Sequence, residues 1–173
     1  MIISVDKLKS RVQGITEADD VLSAKLEAIE AVIRRYTNNN FQKREIRFAG
    51  NSEGDRVYGN PRFFAADDTV QISGSGVNDG LYTVVAVDDE YIELDKPLNT
   101  SEYNLVTKVE YPADVVQCAV DLFEWKKNMG AKVGIKSETI SRHSVTYEDS
   151  ATLFMGYPVG ILNGLALHKK ARF

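Results

Sequence analysis

The period of the apolar residues changes twice along this chain, and that limits its fold more than any other feature. Between Ala18 and Asn38, the residues Leu22, Leu26, Ile29, Val32, Ile33 and Tyr36 recur at three- and four-residue spacing. Asp19, Asp20, Glu27, Glu30, Arg34 and Arg35 largely take the other faces. This spacing predicts an amphipathic helix. Acids early and arginines late suit its dipole. Thr37-Asn38-Asn39-Asn40 predicts its end, because asparagine tolerates left-handed backbone. A shorter helix is predicted over Val5–Val12, stopped by Gly14.

From about Ile46 the period falls to two. Thr69–Ser73, Tyr91–Leu94 and Tyr103–Val109 alternate, and Leu81–Val87 is rich in β-branched residues, so each predicts a strand. Gly74-Ser75-Gly76, Asn78-Asp79-Gly80 and Asp88-Asp89-Glu90 read as turns. Short strands with turns every ten or so residues predict a small antiparallel barrel or curled sheet. Helical character returns at Tyr111-Pro112, where proline suits a first helical position. Val115, Cys118, Ala119, Leu122 and Phe123 form a stripe widened by Val116 and Val120, and Gly130 after Lys126 and Lys127 predicts the stop. Ser137–Glu148 reads as extended. Pro158 predicts the opening of a last short helix carrying Ile161, Leu162 and Leu165.

The expected fold class is therefore α+β: a small helical bundle interrupted by an inserted antiparallel, barrel-like β module. Residues 1–44 and 109–173 form the helical core and 45–108 the insertion. The chain has 173 residues and is 43% apolar, enough for a buried core. No apolar run approaches the roughly 20 residues of a bilayer-spanning helix. Met1-Ile2-Ile3-Ser4-Val5-Asp6-Lys7 lacks a charged-then-apolar-then-small pattern, so a soluble chain without a signal peptide is expected. The single cysteine, Cys118, permits no internal disulfide and suits a reducing compartment.

The net charge of −4 is unevenly spread. Residues 45–108 hold twelve acids against five bases, a net of −7, which leaves +3 for the remainder. An acidic module repels phosphate backbones and argues against ordinary nucleic-acid binding.

Few residues invite a chemical role. Two histidines and one cysteine do not supply a usual structural zinc site. His143 lies in a polar extended stretch and reads as a surface histidine. Cys118 lies on an apolar stripe and reads as a packed thiol, not a nucleophile. Gly74–Gly80 feeds a strand, whereas a phosphate loop must feed a helix N-terminus, so a hairpin connection is expected. Asp67-Asp68 and Asp88-Asp89-Glu90 lack calcium-loop spacing and read as solvated turns. A hydrolase using a pair of acids is conceivable, but nothing singles out one pair among 25 acids. No cofactor, metal or catalytic residue is expected.

Two flanking stretches carry a resemblance. Ala28-Ile29-Glu30-Ala31-Val32-Ile33-Arg34-Arg35-Tyr36-Thr37-Asn38-Asn39-Asn40-Phe41 resembles the first long helix of bacteriophage head–tail connector (adaptor) proteins, which ends in a tyrosine, an Asn-rich turn and a phenylalanine. Tyr111-Pro112-Ala113-Asp114-Val115-Val116 opens a second helix ending in Trp125-Lys126-Lys127-Asn128. Lys136–Tyr147 and Tyr157-Pro158-Val159-Gly160-Ile161-Leu162 then follow in the order usual for the family. The resemblance covers residues 15–44 and 110–168. The β insertion departs from the plain helical connector.

The resemblance implies a non-enzymatic virion protein at the head–tail junction, present in host cytoplasm during assembly. Its implied partners are copies of itself in a ring, dodecameric in the virion, the portal protein, and a head-closure or tail-completion protein. Genomic DNA would pass through the lumen without specific binding, and no membrane is involved. Portal contact is expected in the carboxy-terminal segment, at Tyr157, Ile161, Leu165, His168, Lys169, Lys170, Arg172 and Phe173. The plainer reading is that Ile161 and Leu165 finish the core and the tail is solvated. The alternative function is a soluble protein- or peptide-binding adaptor with no viral role.

Overall fold

The computed structural model describes residues 1–129, 137–140, 143–146 and 153–171, with 137–140 and 143–146 taken as backbone. The chain divides into two compact units: Met1 with 40–111, and 2–39 with 112–173.

The second unit is built on helices. Helix α1 spans Val5–Arg11, with the Ser4 hydroxyl accepting from the Lys7 N–H and Leu8 buried. Helix α2 spans Asp19–Thr37 and buries Leu22, Leu26, Ile29, Val32 and Ile33, the stripe expected from the spacing. Asn38 ends it at φ 49°, ψ 36°, in the left-handed region that the Asn run predicts. The buried Glu30 carboxylate accepts from the Ile2 N–H at 3.0 Å, which draws the chain's start onto this helix. Helix α3 spans Ala113–Met129. The Pro112 carbonyl accepts from the Val116 N–H, so Pro112 caps the helix from just outside it.

Helices α2 and α3 pack face to face. Ile29, Ile33, Val115 and Leu122 are buried, as both stripes require. The two helices run antiparallel. Lys127, late in α3, donates to the Gln13 carbonyl ahead of α2. His168, whose carbonyl accepts from Asn39 just past α2, meets Asp114 at the start of α3.

Two hairpins follow α3. Strands numbered here β7 (Ser137–Ile140) and β8 (His143–Thr146) pair antiparallel, within the stretch expected to be extended. β9 (Leu153–Phe154) and β10 (Tyr157–Pro158) pair around Met155-Gly156, both at positive φ, the geometry of a tight hairpin turn. Pro158 then caps α4 (Val159–Leu162), which passes into a 3₁₀ segment, Asn163–His168, in place of one continuous short helix.

The first unit is a closed antiparallel barrel of six strands. They are β1 (Gln42–Glu53), β2 (Arg56–Tyr58), β3 (Thr69–Ser73), β4 (Gly80–Val87), β5 (Tyr91–Leu94) and β6 (Ser101–Val109). Around the barrel the order is β1-β2-β5-β4-β3-β6, and β6 pairs back onto β1. Closure removes the unpaired edges that would otherwise template aggregation. Phe48, Val57, Phe64, Val70, Ile72, Val84, Ile92, Leu94 and Val106 fill the interior.

The unit's limits differ from the expected 45–108, because pairing of β1 with β6 runs out to Gln42 opposite Val109. The Glu110 N–H donates to the Phe41 carbonyl, and the Phe41 and Tyr111 rings meet 5.1 Å apart. The chain thus enters and leaves the barrel through neighbouring residues. Gly50 is required within β1, since a Cβ there would land on the Tyr58 carbonyl of β2.

Candidate interaction surfaces

The carboxy-terminal segment divides its residues between core and surface. Tyr157 and Leu165 are buried in their own unit. Ile161 is half-buried, and its carbonyl lies 3.8 Å from the Cys118 sulfur. Burial, with Asp121 and Asp114 nearby, pushes the Cys118 thiol up to about 11, which keeps it protonated and inert at neutral pH.

The Tyr157 ring lies near Trp125 and beneath the Lys126 ammonium. His168 Nε2 lies 2.7 Å from the Asp114 carboxylate. That bond is the main cause holding the Asp114 carboxyl below its ordinary range. The Lys169 ammonium sits 3.9 Å from the centre of the Tyr36 ring. Lys170 donates its N–H to the Thr37 carbonyl and is otherwise exposed. Arg172 and Phe173 lie outside the described residues.

The spacing of Ile161, Leu162 and Leu165 passes over Leu167, which is 96% exposed. Leu167 is followed within three residues by Lys169 and Lys170, both exposed. No sequence signal marks it, because the 3₁₀ segment, and not an α-helix, decides which way Leu167 faces.

The barrel offers two features of different kinds. Its end near the β3–β4 connection is closed by amides. The Asn78 side chain donates to Ser52 Oγ at 3.1 Å, the Asn99 carbonyl at 2.9 Å and Asn104 Oδ1 at 3.0 Å. Its own Oδ1 accepts from the Asn99 N–H at 2.8 Å. Asn104 in turn donates to the Gly50 carbonyl. Asn78, Asn104 and Ser52 are all buried. With its amide oxygen and both N–H groups committed, Asn78 is a structural plug, not a binding site.

The glycine-rich stretch is indeed a hairpin connection between β3 and β4. The Asp79 carboxylate accepts from the Ser75 N–H, the Ser75 hydroxyl and the Gly76 N–H. The donors a phosphate would use are thereby taken up. Those bonds, the Ser75 hydroxyl first, lower the Asp79 pKa.

The other feature lies between the loop after β2 and the β4–β5 turn. An open cleft of about 680 Å³ is lined there by Arg62, Val87, Asp88 and Asp89 among others. Next to Arg62 stands Phe63, 78% exposed with φ +70°, while Phe64 turns into the core. Lys108 bonds the Asp68 carboxylate at 2.6 Å and the Phe63 carbonyl at 3.4 Å. Asp67, Asp88, Asp89 and Glu90 are exposed, as expected of solvated turns.

No protein-family model and no curated protein matches the chain. Its surfaces must therefore be read on their own chemistry. Among the described residues no group of three or more His, Cys, Asp or Glu side chains is placed to hold a metal ion. No helix of the described residues is long and apolar enough to cross a membrane. His143 falls in β8, where only the backbone is described. What the described residues present is, on the barrel, exposed acids around the cleft and two exposed aromatics, Phe63 and Tyr103, and on the helical unit exposed basic residues.

Proposed function

We propose that this chain is a structural, non-catalytic subunit of the head–tail junction of a tailed bacteriophage. Copies of it form a ring beneath the portal, through which packaged DNA passes. The observation that carries this reading is the layout. Residues 2–39 and 112–173, far apart in sequence, come together as one helical unit. The inserted barrel departs from it and returns through adjacent positions, Gln42 opposite Val109. A helical connector bundle with an inserted β module needs both properties. The acidic barrel suits a protein that lets DNA pass without gripping it, since attraction would slow passage.

In this reading the carboxy-terminal segment docks on the portal. Tyr157 and Leu165 anchor it to its own subunit, and Leu167, Lys169 and Lys170 supply the outward contact. Leu167→Ser combined with Lys170→Glu should leave the melting temperature unchanged and abolish co-sedimentation with portal rings. Negative-stain imaging of the protein alone and with portal tests the ring itself. A monomer that ignores portal would favour a soluble protein- or peptide-binding adaptor, for which the cleft beside Asp88 and Asp89 is the supporting observation.

A further inference from the structure

We propose that the acidic face of the barrel carrying Phe63 docks onto a second copy of this chain, at the site where its helices α1 and α3 end. The inference rests on the ring reading and deepens it by naming the two faces that meet.

Phe63 is the first reason. A bulky L-residue at φ +70° is strained. At 78% exposure its ring recovers little of that cost by burial within its own chain. Phe64, its neighbour, already supplies the core contact. A strained and displayed aromatic is the usual form of an interface anchor.

Charge is the second reason, and it selects the partner. Asp88 and Asp89 are exposed and line the cleft together with Arg62, the residue before Phe63. Glu90, exposed, accepts through its carbonyl from the Gly59 N–H of the same cleft, and exposed Asp67 follows Phe63 by four residues. Asp68 and Lys108 already satisfy each other, so Arg62 is the principal opposing charge there. The barrel unit 40–111 carries −6, and the rest of the chain +2.

The helical unit offers the complement. A pocket of about 410 Å³ is lined by Arg11, Val12, Gln13, Glu124, Lys127 and Asn128. Arg11 and Lys127 are exposed there, and Lys7 lies one helical turn from Arg11. The pocket has room for a phenyl ring. Two of its lining residues, Arg11 and Lys127, are cations against the one acid, Glu124. Their aliphatic stems suit the face of that ring, and their charges suit the aspartates of the barrel cleft. The two faces differ, so the contact is head-to-tail. Each subunit gives one face and receives the other until a ring closes.

Sedimentation velocity at low and high salt, alone and with portal rings, tests the contact. The wild type should self-associate at low salt and dissociate as salt rises. Phe63→Gly should weaken association by about tenfold or more, with an equal or higher melting temperature. Arg11→Glu with Lys127→Glu should weaken it similarly, as should Asp88→Lys with Asp89→Lys. All four charge reversals in one chain should restore it. If rings persist undiminished in Phe63→Gly and in both charge-reversed variants, this contact is wrong and the ring is built on other faces. If the wild type stays monomeric even with portal, the ring reading falls as well.

Discussion

Replacing Asn78 by alanine should open one end of the barrel, and the expected cost follows from its bonds. The substitution removes an amide that donates to Ser52, Asn99 and Asn104 and accepts from the Asn99 N–H. The Ser52 hydroxyl still donates to the Asn99 carbonyl at 2.8 Å, so that group is not orphaned. Asn104 Oδ1 and the Asn99 N–H lose these bonds. A buried polar group left without a partner costs about 1–3 kcal/mol. Asn104 Oδ1 is such a group, whereas Asn99 is exposed and its N–H can turn to water. The substitution should therefore cost roughly 1–3 kcal/mol, toward the low end if water enters the space. Asn78→Asp should cost more than Asn78→Ala. It puts carboxylate lone pairs against the Asn99 carbonyl and Asn104 Oδ1, which accept and cannot donate.

The assay must see the barrel apart from the helices. Trp125, the only tryptophan, lies in α3 and reports the helical unit. Native-state hydrogen exchange at β1 and β6 reports the barrel. Protection there should fall by the stated free energy. An Asn78→Ala barrel within about 0.5 kcal/mol of wild type, or an aspartate milder than alanine, would refute the account.

Leu122, fully buried between α2 and α3, should cost about 2–5 kcal/mol as alanine, read in denaturant melts followed by Trp125 fluorescence. Gly50→Ala should destabilise the barrel by about 1–3 kcal/mol, because a backbone carbonyl and not a flexible side chain must move; hydrogen exchange at β2 would show it. Asp114 has a folded pKa depressed chiefly by its bond to His168. Its small stabilisation is therefore full above the unfolded carboxyl pKa of about 3.9 and lost as pH falls through the folded value. The difference in melting temperature between wild type and Asp114→Asn should accordingly vanish at the acid end of a pH series. Excising 40–111 through a short Gly-Ser linker should leave a helical, cooperatively melting remainder; a non-cooperative product would show that the helical unit needs the barrel.

The elements easiest to read in the sequence were those with one face buried and one exposed. Helix α2 showed its stripe, its dipole charges and its asparagine stop, and all three hold. Strands β3, β5 and β6 show alternation, because alternate residues such as Val70, Ile72, Ile92, Leu94 and Val106 line the barrel interior; β4 shows a β-branched run of which only Val84 is fully buried there. β1 was harder. In Gln42–Glu53 only Phe48 and Ser52 are buried, its register against β6 shifts twice, and charged side chains fill the outer face. A strand so nearly polar has no period to detect, which is why the sequence pattern marks the module's start at 45 and not at 40.

The sites were less legible than the fold, for a physical reason. Asn78, Asn99 and Asn104 are ordinary turn or strand-end residues one by one, and only closure of the barrel brings their amides together. In Arg62-Phe63-Phe64-Ala65 nothing in the sequence separates one phenylalanine from the other. The backbone at Phe63 turns left-handed and sends one ring outward while the other enters the barrel. The structure makes Phe63 a strained, solvent-facing group. Removing the ring should therefore cost the isolated chain nothing. Left-handed backbone penalises an L-residue by about 1–2 kcal/mol, and the added chain entropy of glycine takes back about 0.5–1 kcal/mol. Phe63→Gly should then be neutral to about 1.5 kcal/mol more stable in the monomer. A clear loss of monomer stability would mean that the ring packs on its own barrel in solution, and Phe63 would lose its standing as an anchor for anything else.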